Sequence, residues 1–231
     1  MDVYNCSSKP ISDCQICFEK LSSQIIFLGY MPPVNSMLEI GSETVEQPAF
    51  PLELMRCDNC GHVQINVEID AEVLFPYSYP YLSGSTNILH KNFKELADEC
   101  SNILNIEKSD RAVDIGSNDG TLLRYFKEEG FDVLGIEPSQ AGQIARKNGI
   151  RTFTKYFSMD TANEVLNEFG KVKIVTAANV FAHIKDPHEV VRATRSILTE
   201  DGIFVSESHY LGSLIETLQY DTIYHEHLRY Y

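Results

Sequence analysis

Four of the six cysteines form two Cys-x-x-Cys pairs with the same internal spacing. The first pair is Cys14 and Cys17, and the second is Cys57 and Cys60, which is followed by Gly61. Two thiolates separated by two residues in a tight turn can bind one ion, and two such turns supply a closed tetrahedron of sulfurs. We therefore predict a structural zinc site with no open coordination position. A disulfide pair or a redox-active Cys-x-x-Cys is the alternative.

A second candidate site is a loop with two glycines that follows an apolar segment and spans residues 114–121. The dinucleotide fingerprint requires glycine where this chain has Asn118 and Thr121, so the loop does not favour NAD. Glu137 follows about 20 residues later, where an acid can accept hydrogen bonds from both ribose hydroxyls of an adenosine. This combination fits S-adenosylmethionine (SAM) better than NAD, and a plain strand–turn–helix with a solvated glutamate is the alternative. The candidate cofactor residues here are Asp114, Gly116, Asn118, Gly120 and Glu137.

A third group of reactive side chains is the sequence Tyr224-His225-Glu226-His227. A phenol, a carboxylate and two imidazoles within four residues can move protons or orient a carbonyl. A polar surface turn would explain any one of them equally well. The spacing also leaves open which of the two histidines would act as a base.

The elements that must position these groups alternate between strand and helix from residue 111 onward, which predicts an α/β fold with a parallel sheet and right-handed crossovers. A helix from Ser85 to about Asn105, containing a buried Cys100, is predicted to precede this region, and Cys6 is predicted to be an exposed tail thiol. The predicted strands are Ala112–Ile115, Val133–Ile136, Thr152–Thr154, Ile174–Ala178 and Ile203–Ser206. The predicted helices between them are Leu122–Glu129, Gln140–Lys147, Thr161–Glu168 and Pro187–Leu198.

The composition limits the class of partner. With 33 acidic and 19 basic residues among 231, the chain has a formal charge of −14, which argues against nucleic acid or an anionic membrane as a partner. The first residues lack the basic and apolar regions of a signal peptide, and the longest apolar stretch is too short to span a bilayer. We therefore expect a cytoplasmic location, where paired cysteines more often bind metal than form disulfides.

The ordered set of motifs resembles the SAM-dependent sugar C-methyltransferases of deoxysugar biosynthesis. It comprises the two cysteine pairs, Tyr79-Pro80-Tyr81, the loop from Asp114 to Gly120, the segment 177–184 and the Tyr224–His227 group, and it runs from about Cys14 to the last residue. The resemblance implies a small zinc-binding domain followed by a class I (Rossmann-like) methyltransferase domain. The expected boundaries are 1–75 for the zinc-binding domain, 76–110 for a linker and helix that contribute to the active site, and 111–231 for the methyltransferase domain. Because the family's chains continue past this signature into a C-terminal domain, we expect this domain to be incomplete and the chain to be inactive alone.

The resemblance also implies a reaction and the residues that carry it out. The family methylates C3 of a nucleotide-linked 4-keto-6-deoxy sugar, usually dTDP-linked, through an enolate. Its Tyr-x-Glu-His signature matches Tyr224, Glu226 and His227, which makes His227 the expected general base and the other two its orienting neighbours. His183 matches a histidine close to the sugar.

The resemblance implies one further role through its Tyr-Pro-Tyr element and two that rest on position in the fold more than on motif identity. Tyr79 is favoured over Tyr81 as the hydroxyl on the substrate side. Asn179 is expected near the methionine part of the cofactor, and Phe157 near its adenine. The expected partner is therefore a nucleotide sugar, and a monomer is favoured.

Three other functions compete with this hypothesis. A SAM-dependent methyltransferase acting on oxygen or nitrogen of another small molecule would not need the Tyr-x-Glu-His group. A non-catalytic zinc module that binds protein or nucleic acid is a different class, and the net charge counts against its nucleic-acid form. An NAD-dependent oxidoreductase is the weakest alternative, because the loop lacks the required glycines.

Overall fold

The structure is a computed structural model that describes residues 8–43, 45–104, 107 and 109–231. Cys6 and Asn105, which entered the predictions above, lie outside the described residues. The chain divides into two compact units, and each gathers separate stretches of sequence. Unit 1 comprises Met1–Pro76, Ala182–Pro187 and Ser208–Tyr231, and unit 2 comprises Tyr77–Phe181 and His188–Glu207.

The described residues contain strands and helices throughout both units. The strands are β1 (Ser8–Pro10), β2 (Ser23–Met31), β3 (Phe50–Arg56), β4 (Val63–Ile65), β5 (Val67–Ile69), β6 (Arg111–Ile115), β7 (Asp132–Ile136), β8 (Thr152–Phe153), β9 (Val172–Ala178), β10 (Leu198–Glu207) and β11 (Arg229–Tyr230). The helices are α1 (Ala71–Leu74), α2 (Asn87–Ile103), α3 (Thr121–Glu128), α4 (Ala141–Lys147), α5 (Met159–Glu168), α6 (Pro187–Ile197) and α7 (Leu211–Glu216). Short 3₁₀ turns occur at Ser83–Ser85, Phe181–His183 and Tyr220–Thr222.

Unit 2 contains a five-stranded parallel sheet in the order β10-β9-β6-β7-β8. The predicted α/β fold with a parallel sheet is therefore confirmed. The chain builds outward from β6 through β7 to β8 and then returns to place β9 on the other side of β6. Ligands of such sheets bind beyond the carboxyl ends of the strands at this reversal. The loops that follow β6 and β9 therefore lie where a cofactor is expected.

The helix before the sheet starts two residues later than predicted. The Thr86 hydroxyl accepts a hydrogen bond from the Leu89 backbone N–H at 3.4 Å, which caps the helix and makes Asn87 its first residue. Ser85 belongs instead to the preceding 3₁₀ turn. As predicted, Cys100 is buried on this helix, where it joins the core of unit 2.

Unit 1 is built on two antiparallel sheets, one pairing β1 with β5 and the other in the order β11-β4-β3-β2. Alternate residues of β3 are buried, because successive side chains of a strand point to opposite faces. Leu52 and Leu54 pack there with Leu228 and Tyr230 from the end of the chain. The segment that follows the Tyr224–His227 group thus shares a sheet and a core with the region of the second cysteine pair.

No helix among the described residues is long and apolar enough to cross a membrane.

Candidate metal centre and active-site residues

The four paired cysteines of unit 1 place their sulfur atoms within 4.8 Å of one another. The Sγ atoms of Cys14 and Cys60 are 3.7 Å apart, and those of Cys17 and Cys57 are 3.5 Å apart. A zinc ion with Zn–S bonds of about 2.3 Å requires tetrahedral sulfurs about 3.8 Å apart. The cluster therefore fits zinc, and its separations exceed the S–S bond of about 2 Å in a disulfide.

The two cysteine turns have the same backbone geometry. The carbonyl oxygen of Cys14 accepts the Phe18 N–H, and that of Cys57 accepts the Gly61 N–H, both at 2.9 Å. Phe18 and Gly61 each follow the second cysteine of a pair and have positive φ values of 64° and 77°. The equal spacing of the two pairs thus produces two equivalent turns whose thiols converge.

A buried arginine links the first cysteine turn to the end of the chain. Gln15 lies between the cysteines of this turn, and its side-chain oxygen accepts the Arg229 Nη1–H at 2.8 Å. Its backbone N–H donates to the Gln64 Oε1 at 2.8 Å. Arg229, which is only 1% exposed, also donates to the Ile184 carbonyl. The metal centre is therefore hydrogen-bonded to the strand that begins two residues after His227.

His227 is held in one tautomer by the groups around it. Its Nδ1 lies 3.0 Å from the Thr222 carbonyl oxygen, and its Nε2 lies 2.9 Å from the Tyr224 hydroxyl. Because a carbonyl oxygen only accepts, Nδ1 carries the hydrogen and Nε2 keeps its lone pair in the neutral ring. Burial, aided by His183 and His209, lowers the pKa of His227 to about 3, so the imidazole is neutral near pH 7.

Three rings surround His227 within unit 1. The ring centroids of Tyr224, His209 and His183 lie 4.1, 4.3 and 5.0 Å from that of His227. His209 was not among the residues chosen from the sequence, because a single histidine outside any motif carries little signal. Its position just after the fifth predicted strand was the one available indication, since functional groups gather at the carboxyl ends of parallel strands.

The other two members of the Tyr224–His227 group are committed to different contacts. The Glu226 carboxylate is buried and accepts the Asn35 Nδ2–H at 2.7 Å. The His225 Nε2 lies 3.2 Å from the Pro51 carbonyl oxygen, and burial lowers the pKa of this ring. His225 therefore packs against β3, whereas His227 lies among imidazoles. These contacts do not decide which of the two acts as a base, so the choice of His227 rests on the Tyr-x-Glu-His signature.

The buried neutral state of His227 makes the stability of unit 1 depend on pH. The pKa of His227 falls from 6.5 in the unfolded chain to about 3 on folding. The neutral ring therefore contributes its full share to the free energy of unfolding above pH 6.5, and this share is lost as the pH falls towards 3. We expect wild type to lose about 2 kcal/mol more stability than His227→Gln when the pH falls from about 7.5 to about 5. Urea unfolding followed at an amide of β3 or β4 measures this difference. Equal losses in the two proteins would contradict the assignment.

In unit 2, the predicted cofactor loop has an unusual backbone. Gly116, Asn118 and Gly120 all have positive φ values, of 67°, 50° and 80°. Asp114, at the end of β6, accepts the Thr176 Oγ1–H at 2.6 Å, and burial raises the pKa of this carboxyl to about 7. The alternating left-handed residues turn the chain sharply between β6 and α3, as expected for a loop that approaches a ligand.

Glu137, at the end of β7, joins the loops that follow two neighbouring strands. Its Oε2 accepts the Asn118 N–H at 2.9 Å and its Oε1 accepts the Ser139 N–H at 2.8 Å. A carboxylate has about four acceptor positions, so both oxygens can accept a further hydrogen bond. The residue therefore fits the predicted role of holding ribose hydroxyls.

The remaining predicted residues of unit 2 lie in three places. Tyr79 and Phe157 are half-buried, in the segments before α2 and α5. Asn179, which follows β9, donates its Nδ2–H to the Glu207 Oε1 at 2.6 Å, and Asn92 donates to the Glu207 Oε2 at 2.7 Å. Asn92 and Glu207 were not predicted, because neither belongs to a recognisable motif. Glu207 is the last residue of β10 and Asn92 lies in α2, and together they join Asn179 in one hydrogen-bonded group.

The side chain of Asn118 is used within the protein. Its Oδ1 accepts the Ser83 N–H at 2.9 Å, and its Nδ2 donates to the Tyr81 carbonyl oxygen at 3.0 Å. Because its main-chain N–H donates to Glu137, a contact of Asn118 with a cofactor would come from its main-chain carbonyl. Gly116, Glu137 and Asn179 lie at the ends of adjacent strands, and the Glu137 carboxylate there can accept hydrogen bonds from the ribose of SAM.

Gly116 offers a direct test of this loop. A Cβ at Gly116 would lie 2.5 Å from Val180 Cγ2, whereas a Cβ at Gly130, which also has positive φ, would have no atom within 4 Å. We expect Gly116→Ala to lower the stability of unit 2 by about 1–3 kcal/mol more than Gly130→Ala, because both share backbone strain and only one creates a clash. Thermal unfolding and SAM titration measure the difference, and Gly116→Ala/Val180→Ala should recover part of it. Equal effects of the two glycine changes would refute the close contact.

Comparison with known protein families identifies the class of the chain. Residues 88–231 match the model of a methyltransferase domain family, which is more than half of the chain. Residues 14–75 match the model of a proposed zinc binding domain, which contains all four clustered cysteines. The chain belongs to the methyltransferase domain family.

Individual relatives resemble this chain over different lengths. The C-methyltransferase NovU of Streptomyces niveus is 29% identical over 225 residues, covering 96% of this chain and 53% of that protein. A ubiquinone biosynthesis O-methyltransferase of Bordetella avium (strain 197N) is 30% identical over 95 residues, covering 40% of this chain and 39% of that protein. The chain thus spans about half or less of the length of these relatives.

Solved structures with a similar shape are also methyltransferases by name. The plantazolicin methyltransferase BpumL, in complex with a pentazolic desmethylPZN analog and SAH, is 14% identical over 59% of this chain and 53% of its own, with a TM-score of 0.48. A SAM-dependent methyltransferase of Clostridium acetobutylicum ATCC 824 is 19% identical over 58% of this chain and 56% of its own, with a TM-score of 0.45. The family assignment rests on the matched domain and not on these likenesses.

Proposed function

We propose that this chain carries the catalytic residues of a SAM-dependent C-methyltransferase whose substrate is a nucleotide-linked, dTDP-type 4-keto-6-deoxy sugar methylated at C3. The observation that carries the proposal is the environment of His227. Because the Thr222 carbonyl accepts the Nδ1–H, the imidazole keeps its lone pair on Nε2, the nitrogen that would take the proton. The similarity to a C-methyltransferase over 96% of the chain supports the same reaction class.

A base is needed because a hydrogen on C3 is acidic only through the neighbouring C4 ketone. His227 Nε2 takes this proton, the C–H bond breaks, and its electron pair moves into the enolate of C3, C4 and O4. The single lone pair of Nε2 accepts the Tyr224 hydroxyl in this structure, so the tyrosine has to release Nε2 when the C3 proton is taken. The Thr222 carbonyl accepts the Nδ1–H throughout and holds the imidazole in place before and after proton transfer.

The enolate oxygen needs hydrogen-bond donors while negative charge develops. Imidazole N–H groups and tyrosine hydroxyls are suitable donors, and His183 and Tyr79 are the candidates carried by the family resemblance. His183 lies in the ring cluster around His227, and its ring also contacts Phe75 edge to face at 5.3 Å. The aromatic contact fixes the plane of the imidazole, which is what a directed donor requires.

The cofactor part of the proposal concerns unit 2. SAM, when bound, supplies an electrophilic methyl group for the carbon nucleophile. Gly116 lets the main chain approach the ligand, and Glu137 accepts hydrogen bonds from the ribose, while Asn179 and Phe157 are proposed to contact its methionine and adenine parts. Asn118 and Thr121 replace the glycines of a dinucleotide site, so NAD is not favoured.

The proposed activity is tested with this chain joined to the C-terminal domain that the family resemblance implies, using SAM that carries a ¹³C-methyl group and a dTDP-4-keto-6-deoxy sugar. We expect a product in which the labelled methyl group replaces one hydrogen of the sugar. The NMR spectrum should show the ¹³C label bonded to carbon. Label on oxygen or nitrogen would instead assign the chain to the other methyltransferase class.

Two further measurements separate the remaining hypotheses. In D₂O without SAM, deuterium should enter C3 of the sugar, because deprotonation requires only the base. Calorimetric titration should show binding of SAM and not of NAD. A chain that binds zinc but neither SAM nor the sugar nucleotide would be a non-catalytic module, which would overturn the proposal.

A further inference from the structure

The segment that carries Tyr79-Pro80-Tyr81 is attached to the cofactor loop by side chains of that loop. Asn118 accepts the Ser83 N–H at 2.9 Å and donates to the Tyr81 carbonyl oxygen at 3.0 Å. The adjacent Asp119 accepts the Gly84 N–H on its Oδ2 at 2.8 Å. Two consecutive side chains of the loop therefore bind three neighbouring peptide groups.

The other end of the segment is attached to the next strand-end loop. The Tyr77 carbonyl oxygen accepts the Gln140 N–H at 2.7 Å, and the Tyr77 hydroxyl accepts a hydrogen bond from the Gln143 side chain. Gln140 lies three residues after Glu137, at the start of α4. Tyr79 thus lies between two anchors, one on each of the loops that we assign to the cofactor.

The attachment leaves no room for a side chain at Gly84. A Cβ there would lie 2.7 Å from the Thr121 Oγ1 and 2.8 Å from the Asp119 Oδ2. Asp119 also accepts the Thr121 hydroxyl at 2.6 Å, so the same carboxylate binds Gly84 and the first residue of α3. His90 of α2 contacts the Gly84 carbonyl oxygen from another direction at 3.1 Å. The turn at 83–85 therefore packs closely against the cofactor loop.

We propose that Asn118 and Asp119 are positioning residues that fasten the Tyr79 segment to the cofactor loop and so couple SAM binding to binding of the sugar nucleotide. The inference rests on the proposed function, because Tyr79 acts on the substrate only in that reaction. A ligand that orders the loop also orders the segment attached to it, and the coupling is reciprocal between the two ligands. The tyrosine hydroxyl then reaches its working position when the cofactor is in place.

Amide hydrogen exchange tests the attachment without any ligand. In the whole chain, the Ser83 and Gly84 amides should exchange slowly, and Asp119→Ala should speed exchange at Gly84 by about tenfold or more. Gly84→Ala is the second variant, since it keeps the Asp119 side chain but its Cβ would clash with Asp119 Oδ2 and Thr121 Oγ1 and so disturb the same attachment from the side of the turn. Ser78→Ala is the matched control, because this exposed residue lies in the same segment. Unchanged exchange in both test variants would overturn the attachment.

The coupling is tested by repeating the exchange with SAH and by kinetics. SAH should slow exchange across residues 77–85 in wild type and Ser78→Ala, and should have a much smaller effect in Asp119→Ala and Gly84→Ala. In turnover, the variants should raise KM for the sugar nucleotide more than KM for SAM. SAH protection of equal size in all four proteins would overturn the coupling. If wild type binds no SAH, the proposed function and the coupling both fail, while the ligand-free exchange still decides the attachment.

Discussion

Replacing His227 with glutamine is expected to lower both deuterium exchange at C3 and methyl transfer by about 10²–10⁴-fold, the usual contribution of a general base. Glutamine can still donate a hydrogen bond to the Thr222 carbonyl, but it has no lone pair that accepts a proton near pH 7. The loss should appear in the exchange reaction without SAM, since that reaction depends on proton removal alone. Binding of SAM, which we assign to unit 2, should be unchanged.

His225→Gln is the matched control for this experiment. His225 is as deeply buried as His227 and lies two residues away, but its Nε2 faces the Pro51 carbonyl oxygen and it packs on Phe50. Glutamine can keep the bond to Pro51 but loses the ring contact with Phe50, so this variant should lose some stability and retain deuterium exchange at C3. Loss of exchange in His225→Gln with exchange retained in His227→Gln would transfer the role of base to His225.

The local parts of this structure could be predicted from the sequence. A Cys-x-x-Cys spacing determines a turn whose thiols face one way, and the two pairs cluster as predicted. The strands and helices of unit 2 follow from apolar periodicity and from glycines at the turns, because each pattern lies within a few neighbouring residues. The boundary error at Ser85 arose where a threonine cap, and not periodicity, set the start of the helix.

The long-range parts could not be predicted in this way. Glu226 is hydrogen-bonded to Asn35 and Arg229 to Gln15, partners separated by most of the chain. Such pairs leave no local pattern in one sequence, so the grouping of residues 208–231 with the N-terminal region was not predicted. Asn118 shows a related limit. Its residue type suggested a cofactor ligand, whereas its side chain is bonded to the segment at 81–83.

These long-range bonds make the zinc site important for the histidine cluster within unit 1. Gln15 lies inside the first cysteine turn and accepts a hydrogen bond from Arg229, which also donates to Ile184. Ile184 adjoins His183, and Arg229 is two residues from His227. The turn that supplies two of the metal ligands is therefore bonded to a side chain that connects both segments carrying the histidines.

Loss of zinc is accordingly expected to unfold unit 1. Binding of a structural zinc ion is worth about 10–16 kcal/mol in small zinc domains, which equals or exceeds the whole stability of a typical domain at about 5–15 kcal/mol. Unit 1 has a small apolar core, so little else can replace this contribution. Cys57→Ala removes a fully buried ligand and should abolish zinc binding, as measured by metal analysis.

The control for this variant is Cys100→Ala, which removes an equally buried thiol from unit 2 and leaves the metal ligands unchanged. Cys57→Ala should abolish the protection of backbone amides in β3, β4 and β11 against hydrogen exchange. It should also abolish deuterium exchange at C3 of the sugar. The amides of β6 and β9 should stay protected, because the core of unit 2 contains no residue of unit 1. Cys100→Ala should keep zinc and the protection of unit 1. Since His227 is neutral only while it is buried, its ring should return towards a pKa of 6.5 in Cys57→Ala, which NMR titration detects. Protected β-strands in a zinc-free Cys57→Ala would show that the apolar core alone holds unit 1.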